Sequence, residues 1–266
     1  MTNGFLLIDK ESGVTSSRVV QAVKKKFQFK KVGHLGTLDP MATGLLILAI
    51  NRGTKFSSLL LESHKTYAAE VTLGIQTDTD DAEGEPILSK VITCSDEEAR
   101  RKLLSFLGSS MQQPPIYSAL KVQGKPMYKY AREGIKVEKA ARAIEIKTIE
   151  NISIHLPKIS FEVSCSKGTY IRSIARDLGE ILDCGGHLSA LKRLTQQEFL
   201  IKDAKKIDEI TELDIIPLEK AFNHLGSVNL PEEKLKKFIN GSAIDLGLPE
   251  SGLLRAYNAA GVFIAL

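Results

Sequence analysis

Length, composition and charge describe an ordinary globular protein. The chain has 266 residues, of which 43% are hydrophobic and 26% charged, and this balance excludes an intrinsically disordered protein. The length suffices for one large domain with a small one, and the net charge of +4 permits an anionic partner without requiring it.

Cysteine usage and hydropathy indicate the compartment. Cys94, Cys165 and Cys184 are scattered, which is typical of reduced thiols rather than a disulfide framework. The N-terminus has no basic segment typical of a secretory signal, and the longest apolar run, 45–50, is far shorter than the ~20 residues that span a bilayer. We therefore expect a soluble, cytoplasmic protein without membrane association.

In chain order, the first elements are a strand, a helix and a loop. Residues 4–8 predict a buried strand, and Thr15, Ser16 or Ser17 is suited to cap the following helix. That helix ends in a group of lysines: Lys24, Lys25, Lys26, Lys30 and Lys31. The group fits either a solvated helix end, where cations suit the dipole, or a phosphate-binding surface, and the sequence leaves both open.

The middle of the chain contains strands separated by polar segments. Residues 33–44 are expected to form a loop and 45–50 a fully buried strand, and the alternation over 65–74 predicts a half-buried strand. A long polar loop is expected over 74–86. A helix should then start at Ser95 and carry Leu103, Leu104 and Leu107.

Tyrosines and lysines alternate over residues 112–134, where Glu133 is the only acid. Strand patterns return over 144–165, residues 169–182 predict a helix, and 187–199 is expected to be a loop leading into a strand. After a short helix around 213–222, the pattern changes to short apolar pieces broken by Asn, Gly and Pro. This predicts a small β-rich appendage, which we expect to be incomplete at its C-terminal end.

Familiar catalytic signatures are missing from the sequence. It contains no phosphate-binding P-loop, no G-x-S-x-G nucleophile elbow and no H-E-x-x-H motif. The five histidines lack metal-ligand spacing, so no metal site is predicted. The most constrained segment is 33–44, where glycines and Pro40 surround Asp39 and favour a projecting carboxylate, although an Asp-Pro turn with only a structural role is the alternative.

The segment 33–44, GHLGTLDPMATG, resembles the catalytic loop of the TruB family, the tRNA pseudouridine synthases that act on the T-loop uridine at position 55. Further matching segments follow in the family's order, from about Gly4 to Arg193: KTYAAEVTLG, LGIQTDTDDAEG, PPIYSALKVQGKPMYKYAREG, GTYIRSIARDLG and GGHLSALKRL. The chain is thereby identified by resemblance as a member of this family.

The resemblance implies a fold and a domain plan. The fold is an α+β pseudouridine-synthase type, with a mixed, largely antiparallel sheet flanked by helices. The catalytic domain is expected over 1–222, with an RNA-gripping insertion at about 112–137. Residues 223–266 are expected to form a partial, apparently truncated PUA-like RNA-binding β domain.

The resemblance also implies an activity. Breaking a C–N glycosidic bond and rejoining the uracil through C5 is an isomerisation, so no cofactor is expected. Asp39 would attack ribose C1′ or deprotonate C2′, and the sequence does not distinguish these routes. The implied partner is the T-arm of tRNA, and the enzyme is expected to act as a monomer without a protein partner.

The family pattern assigns roles to further residues. Tyr67 would stack on the uracil and take the C5 proton, Arg172 would pair with Asp39, and Leu191 would form an apolar wall of the pocket. Taken singly, these residues look like a core tyrosine, a surface arginine and a core leucine.

RNA binding is assigned to a second set of residues. His34 would fill the space left by the flipped uridine, and Asp81 would support the catalytic arrangement, although a solvated turn is its alternative. Contacts to RNA are expected from Tyr170, Lys65, Lys121, Lys125 and Lys129.

Two other classes of protein fit parts of the sequence. A non-catalytic RNA-binding protein could keep the scaffold, but the joint presence of Asp39, Tyr67 and Arg172 argues against it. A glycoside hydrolase or base-excising glycosylase also attacks a glycosidic carbon, but it releases the free base and so lowers the mass of the RNA.

Overall fold

The computed structural model describes residues 2–61, 63–135, 137, 139–247 and 252–266. None of the helices within these ranges is long and apolar enough to cross a membrane.

Strands and helices alternate along the described residues. The strands and helices are β1 Gly4–Lys10, α1 Ser16–Phe27, β2 Val32–His34, β3 Thr43–Ile50, α2 Ser57–Leu61, β4 Lys65–Leu73, β5 Ile75–Thr77, β6 Pro86–Ser89, α3 Asp96–Leu104, β7 Gly108–Gln112, β8 Lys121–Val122, β9 Lys125–Pro126, α4 Met127–Arg132, β10 Arg142–His155, β11 Lys158–Cys165, α5 Ile171–Ile181, β12 Gly186–Gln196, β13 Phe199–Leu200, β14 Ile216–Pro217, α6 Leu218–Ala221, β15 Ser227–Leu230, α7 Glu232–Ile239, β16 Arg255–Asn258 and β17 Phe263–Ala265. Short 3₁₀ helices lie at Asn51–Phe56, Ile201–Asp203 and Glu212–Asp214.

One large sheet organises the chain. Its strand order is β14-β1-β3-β12-β4-β11-β10-β7, with β2 paired to β3 and β13 to β12. Among these pairs only β12 with β3 is parallel. The predicted α+β class with a mixed, largely antiparallel sheet is confirmed.

Apolar cores cover both faces of the sheet. On one face, α1, α3 and α5 pack on alternating strand residues, because successive side chains of a strand point to opposite sides. On the other face, Phe199, Leu218 and Phe222 cover β1 and β3. Helix α5 approaches β12 closely, since a Cβ atom on Gly179 would collide with the backbone of Gly186. The C-terminal part of α5 is thereby held close to the start of β12.

Three local predictions were wrong. Residues 187–199, expected to be a loop leading into a strand, lie mostly in β12, because this segment pairs with β4 on one side and β3 on the other. The expected loop 74–86 contains β5, which pairs with β6. The 33–44 loop is shorter than predicted, since Gly33 and His34 pair in β2 and Thr43 begins β3.

The helix predicted at Ser95 exists as α3, with the Ser95 side chain accepting a hydrogen bond from the Glu98 amide. It ends at Leu104, so Leu107 lies outside it and is 44% exposed. Only Leu103 of the three predicted leucines is buried in the core.

A small sheet follows the main one. Strands β15, β16 and β17 form it, with α7 between β15 and β16. Phe263 and Leu266 pack against the apolar cluster around Phe222. The β-rich appendage is confirmed as a small C-terminal sheet, and the helix within it was not predicted. Its PUA-like character and the boundary between 1–222 and 223–266 stay predictions.

Candidate active site

Asp39 lies in a short connection between β2 and β3 that the rest of the molecule holds tightly. Leu35 and Leu38 are buried, and the Ser16 hydroxyl donates to the Leu38 carbonyl (3.0 Å) and accepts from the Leu38 amide (2.9 Å). The Ala42 amide donates to the Asp39 carbonyl (3.1 Å). The connection is therefore held at Leu38, just before Asp39, and by the turn from Asp39 to Ala42. The Asp39 carboxylate projects from it.

Two nitrogens of the Arg172 guanidinium contact the Asp39 carboxylate. Its Nε lies 2.9 Å from Oδ2, and its Nη2 donates to Oδ1 at 3.1 Å. The Arg172 side chain is only 5% exposed, whereas that of Asp39 is 31% exposed. One hydrogen bond from Nη2 and one ion-pair contact at Nε therefore hold the carboxylate against the guanidinium. The arginine that looks like a surface residue in sequence is thus a buried partner of an accessible acid.

The same guanidinium joins two other segments to the site. Arg172 donates to the carbonyls of Thr79 (3.0 Å) and Tyr117 (2.9 Å), and its Nε lies 3.6 Å from Oδ2 of Asp81. Asp81 is buried and also accepts from the Thr79 hydroxyl at 2.6 Å. Arg172 therefore connects the Asp39 loop, the 77–85 turn and the 112–137 insertion.

Tyr67 and Leu191 face the same side of the sheet. In the register of β4 and β12, Leu191 lies opposite Ala69, and Arg193 lies opposite Tyr67. The Arg193 guanidinium is 5.6 Å from the centroid of the Tyr67 ring. Burial raises the pKa of the Tyr67 phenol, and the positive charge of Arg193 opposes this increase. Arg193 is thus placed to stabilise a phenolate.

His34 and Lys65 lie deeper than their assigned roles suggest. His34 is half-buried at the end of β2, and its Nδ1 has no hydrogen-bond partner among the described residues. Burial, and then the charge of Arg193, lowers the pKa of His34, which favours the neutral ring. Burial also lowers the pKa of Lys65 to about 8, and its Nζ donates to the carbonyls of Leu61 (3.2 Å) and Ser63 (2.9 Å).

The three lysines assigned to the insertion differ in their surroundings. Lys121 and Lys129 are exposed, whereas Lys125 pairs with Glu133 and lies 4.5 Å from the centroid of the Tyr130 ring.

The insertion is tied at its root to the start of α5. The Gln112 side chain donates to the Tyr170 carbonyl (3.0 Å) and accepts from the Tyr170 amide (2.8 Å). The Tyr170 ring itself lies beside the Arg142 guanidinium, 4.7 Å away. Tyr170 therefore marks the junction between the insertion and the helix that carries Arg172.

Sequence reasoning assigned no role to Arg193, which the structure makes prominent. Arg193 is 1% exposed and donates to the carbonyls of Gly36 (3.2 Å), Thr37 (2.9 Å) and Leu45 (3.3 Å). Gly36 has a φ of +114°, a region that favours glycine. One signal was present: Leu191 and Arg193 are two residues apart, so a strand places both on one face.

Lys10 was also missed. It is buried at the end of β1, and its Nζ donates to the carbonyls of Glu11 (2.9 Å), Val14 (2.6 Å) and Pro40 (3.0 Å). Burial lowers its pKa to about 8, and the nearby charge of Asp39 opposes this decrease. No sequence pattern distinguishes this lysine from an exposed one.

Comparison with known proteins connects this arrangement to one family. The model of the TruB family pseudouridylate synthase (N terminal domain) matches residues 24–171. The tRNA pseudouridine synthase B of Alkaliphilus oremlandii is 43% identical over 91% of this chain and 83% of its own length. That of Aromatoleum aromaticum is 40% identical over 97% of this chain and 86% of its own length.

Solved structures show the same fold. A chain in the structure of a Cbf5-Nop10-Gar1 complex superposes with a TM-score of 0.70 at 25% identity, covering 98% of this chain and 76% of that chain. A chain in the structure of an H/ACA RNP bound to a substrate RNA containing 2′-deoxyuridine superposes with a TM-score of 0.71 at 23% identity. This match also covers 98% of this chain and 76% of that chain. The family match and the relatives, together with the fold, define a pseudouridine synthase. Since the family match spans more than half of the sequence, the chain belongs to the TruB family of pseudouridylate synthases. It is a TruB-type tRNA pseudouridine synthase, and therefore an isomerase.

Proposed function

We propose that this enzyme isomerises the T-loop uridine at position 55 of tRNA, with Asp39 as the central catalytic group. The observation that supports this proposal most is the two-point contact of Arg172 with an accessible Asp39 carboxylate. A carboxylate held by an arginine on an anchored loop is suited to attack C1′ or to remove the C2′ proton of a bound ribose.

The reaction conserves all atoms of the nucleotide. The C1′–N1 bond breaks and its electron pair stays with the uracil. The base then rotates, C5 bonds to C1′, and the C5 proton leaves while N1 gains a proton. Tyr67 is the proposed acceptor of the C5 proton, because Arg193 places a positive charge beside a phenol that burial otherwise keeps protonated. Leu191, buried on the same sheet face, is the proposed apolar wall that retains the detached uracil.

The target uridine must leave the RNA stack before Asp39 reaches it, at a cost of a few kcal/mol. His34 is suited to fill the vacated space, since stacking of an aromatic ring on a base contributes ~1–3 kcal/mol and its low pKa favours an uncharged ring. Asp81 is proposed to support Arg172 as a second carboxylate, at 3.6 Å from the same Nε that contacts Asp39.

RNA contacts are proposed for the insertion and its root. Lys121 and Lys129 are exposed and suited to bind phosphates of the RNA. Lys125 would break its ion pair with Glu133 to bind a phosphate. Tyr170 is proposed to contact RNA where the insertion meets α5. Lys65 must release the carbonyls of Leu61 and Ser63 to reach RNA, so its role needs a local rearrangement.

The remaining proposals concern organisation. We propose a catalytic unit over 1–222 and an RNA-binding unit over 223–266, acting as a monomer in the cytoplasm without a protein partner or cofactor.

A T-arm stem-loop transcript tests the activity directly. We expect carbodiimide mapping to find pseudouridine at position 55, and mass spectrometry to find an unchanged RNA mass. A transcript with cytidine at this position is the matched control. A net loss of mass equal to uracil minus the water added in hydrolysis would indicate a glycosylase, and tight binding without product would indicate a non-catalytic RNA-binding protein.

A further inference from the structure

Charge is distributed very unevenly along the first quarter of the chain. Between Ser12 and Leu61 the only acidic residue is Asp39, whereas the segment contains eight lysines and arginines. These are Arg18, Lys24, Lys25, Lys26, Lys30, Lys31, Arg52 and Lys55. A stretch that excludes acids except at the catalytic position is typical of a surface that meets an anion.

The fold brings several of these residues to one surface. The Asn51 amide donates to the Lys31 carbonyl (2.8 Å), and the Asn51 side chain accepts from the Lys31 amide (3.2 Å). Lys30 and Lys31 therefore adjoin the 3₁₀ helix that carries Arg52 and Lys55. All four side chains are exposed.

Lys24 and Lys26 lie on different flanks of helix α1. Lys26 donates to the carbonyls of Ile207 (2.6 Å) and Asp208 (3.0 Å), so it serves as an internal tether. Residues two apart on an α-helix lie ~200° apart around its axis. Lys24 therefore lies on the flank away from 207–208, and it is exposed.

Helix-end electrostatics account for only part of this set. Lys24 and Lys55 lie in the last turns of their helices, where cations suit the dipole. Lys30 and Lys31 lie beyond the end of α1, and Arg52 lies at the start of the 3₁₀ helix, where a cation does not suit the dipole. In the part of the chain that the structure describes, no acidic side chain forms an ion pair with Lys24, Lys30 or Lys31, nor with Arg52 or Lys55.

We propose that this basic surface, formed by Lys24, Lys30, Lys31, Arg52 and Lys55, binds the sugar–phosphate backbone of the RNA beside the flipped nucleotide. The surface continues into the active site, because β2 leads from Lys31 to His34 over three residues, a span of ~10 Å. It would supply sequence-independent affinity and hold the backbone while the base leaves the stack. This inference rests on the proposed function for the identity of the RNA.

The test compares two triple variants with the same loss of charge. The first is Lys30→Gln/Lys31→Gln/Arg52→Gln on the basic surface. The control is Arg101→Gln/Lys102→Gln/Lys147→Gln, on α3 and β10 near the opposite edge of the sheet, where Arg101 and Lys147 are exposed and Lys102 is partly exposed. The Kd for the T-arm stem-loop is measured across a salt series, with melting temperature as the check of folding.

We expect the first variant to bind at least ~10-fold more weakly at low salt, with a slope of log Kd against log salt that is shallower by ~2, for three lost phosphate contacts. Its single-turnover rate at saturating RNA should stay within about twofold of the unmodified protein, and the control should keep the original slope. Equal slopes in both variants would overturn the proposal. Binding is read independently of product, so failure of the unmodified protein to form pseudouridine would instead count against the proposed function.

Discussion

Replacing Asp39 with Asn tests the centre of the mechanism. Asn keeps the shape of the side chain and can accept one hydrogen bond from Arg172, but it can neither attack nor deprotonate the ribose. Losing the central group of a catalytic unit typically lowers the rate ~10⁴–10⁶-fold, or ~5–8 kcal/mol in barrier height. We expect pseudouridine formation to be abolished in the Asp39→Asn variant.

The effect on folding should be much smaller, for a reason visible in the structure. Removing the partner of a buried charge costs ~3–5 kcal/mol when the charge is left uncompensated. Arg172 keeps Asp81 at 3.6 Å and the carbonyls of Thr79 and Tyr117, so we expect a loss of ~1–2 kcal/mol, the scale of one charge-assisted hydrogen bond. The variant should therefore lose its catalytic rate while it keeps most of its folding stability.

The assay is single-turnover pseudouridine formation, measured together with RNA affinity and melting temperature. Asp214→Asn is a matched control, because that carboxylate caps a 3₁₀ helix and pairs with Lys205. A structural role for Asp39 predicts retained activity, since Asn suits turns as well as Asp does. A folded, RNA-binding Asp39→Asn enzyme with a rate within about tenfold of the unmodified protein, ~1.4 kcal/mol, would refute the reasoning.

Three further substitutions test other parts of the site. Tyr67→Phe should lower the single-turnover rate ~10²-fold or more with nearly unchanged RNA affinity, and a near-normal rate would rule out the base role. Changing Lys121, Lys125 and Lys129 together to Gln should weaken RNA binding and flatten its salt slope by up to ~0.7–0.9 per lost contact, whereas an unchanged slope would indicate a solvated face. Arg193→Met should destabilise the fold by ~3 kcal/mol in urea unfolding, because one buried and two partly buried carbonyls lose a donor, and an unaltered unfolding midpoint would contradict this.

Sequence patterns were sufficient where the local signal and the tertiary environment agree. The alternation over 65–73 predicted β4, because this strand has one face against the core and one face partly open. The same logic failed over 187–199, where polar and apolar residues follow no strict period. β12 is a strand there because neighbours on both sides supply its hydrogen bonds, and those neighbours are distant in sequence.

The residues of the candidate site likewise differ in whether a local sequence signal reveals them. Asp39 could be singled out as a candidate because the whole string 33–44 resembles the TruB catalytic loop, whereas its glycines and proline alone also fit a structural turn. The structural importance of Lys10 and Arg193 could not, because it depends on main-chain carbonyls contributed by distant segments. Every residue has a main-chain carbonyl, so the sequence does not show which basic side chain will bind one.

These buried cations share one physical task. Consecutive residues of the Asp39 loop are held from different elements: the carbonyls of Gly36 and Thr37 by Arg193, Leu38 by Ser16, the Asp39 carboxylate by Arg172, and the Pro40 carbonyl by Lys10. A loop fixed in this way needs little ordering when RNA arrives, so binding energy remains available for flipping the base. Neutral donors could satisfy the same carbonyls, but cations also place positive charge around the one acid of the segment. Under the proposed function, this positive charge would attract RNA towards the Asp39 carboxylate, and Arg172 would keep that carboxylate oriented for the ribose.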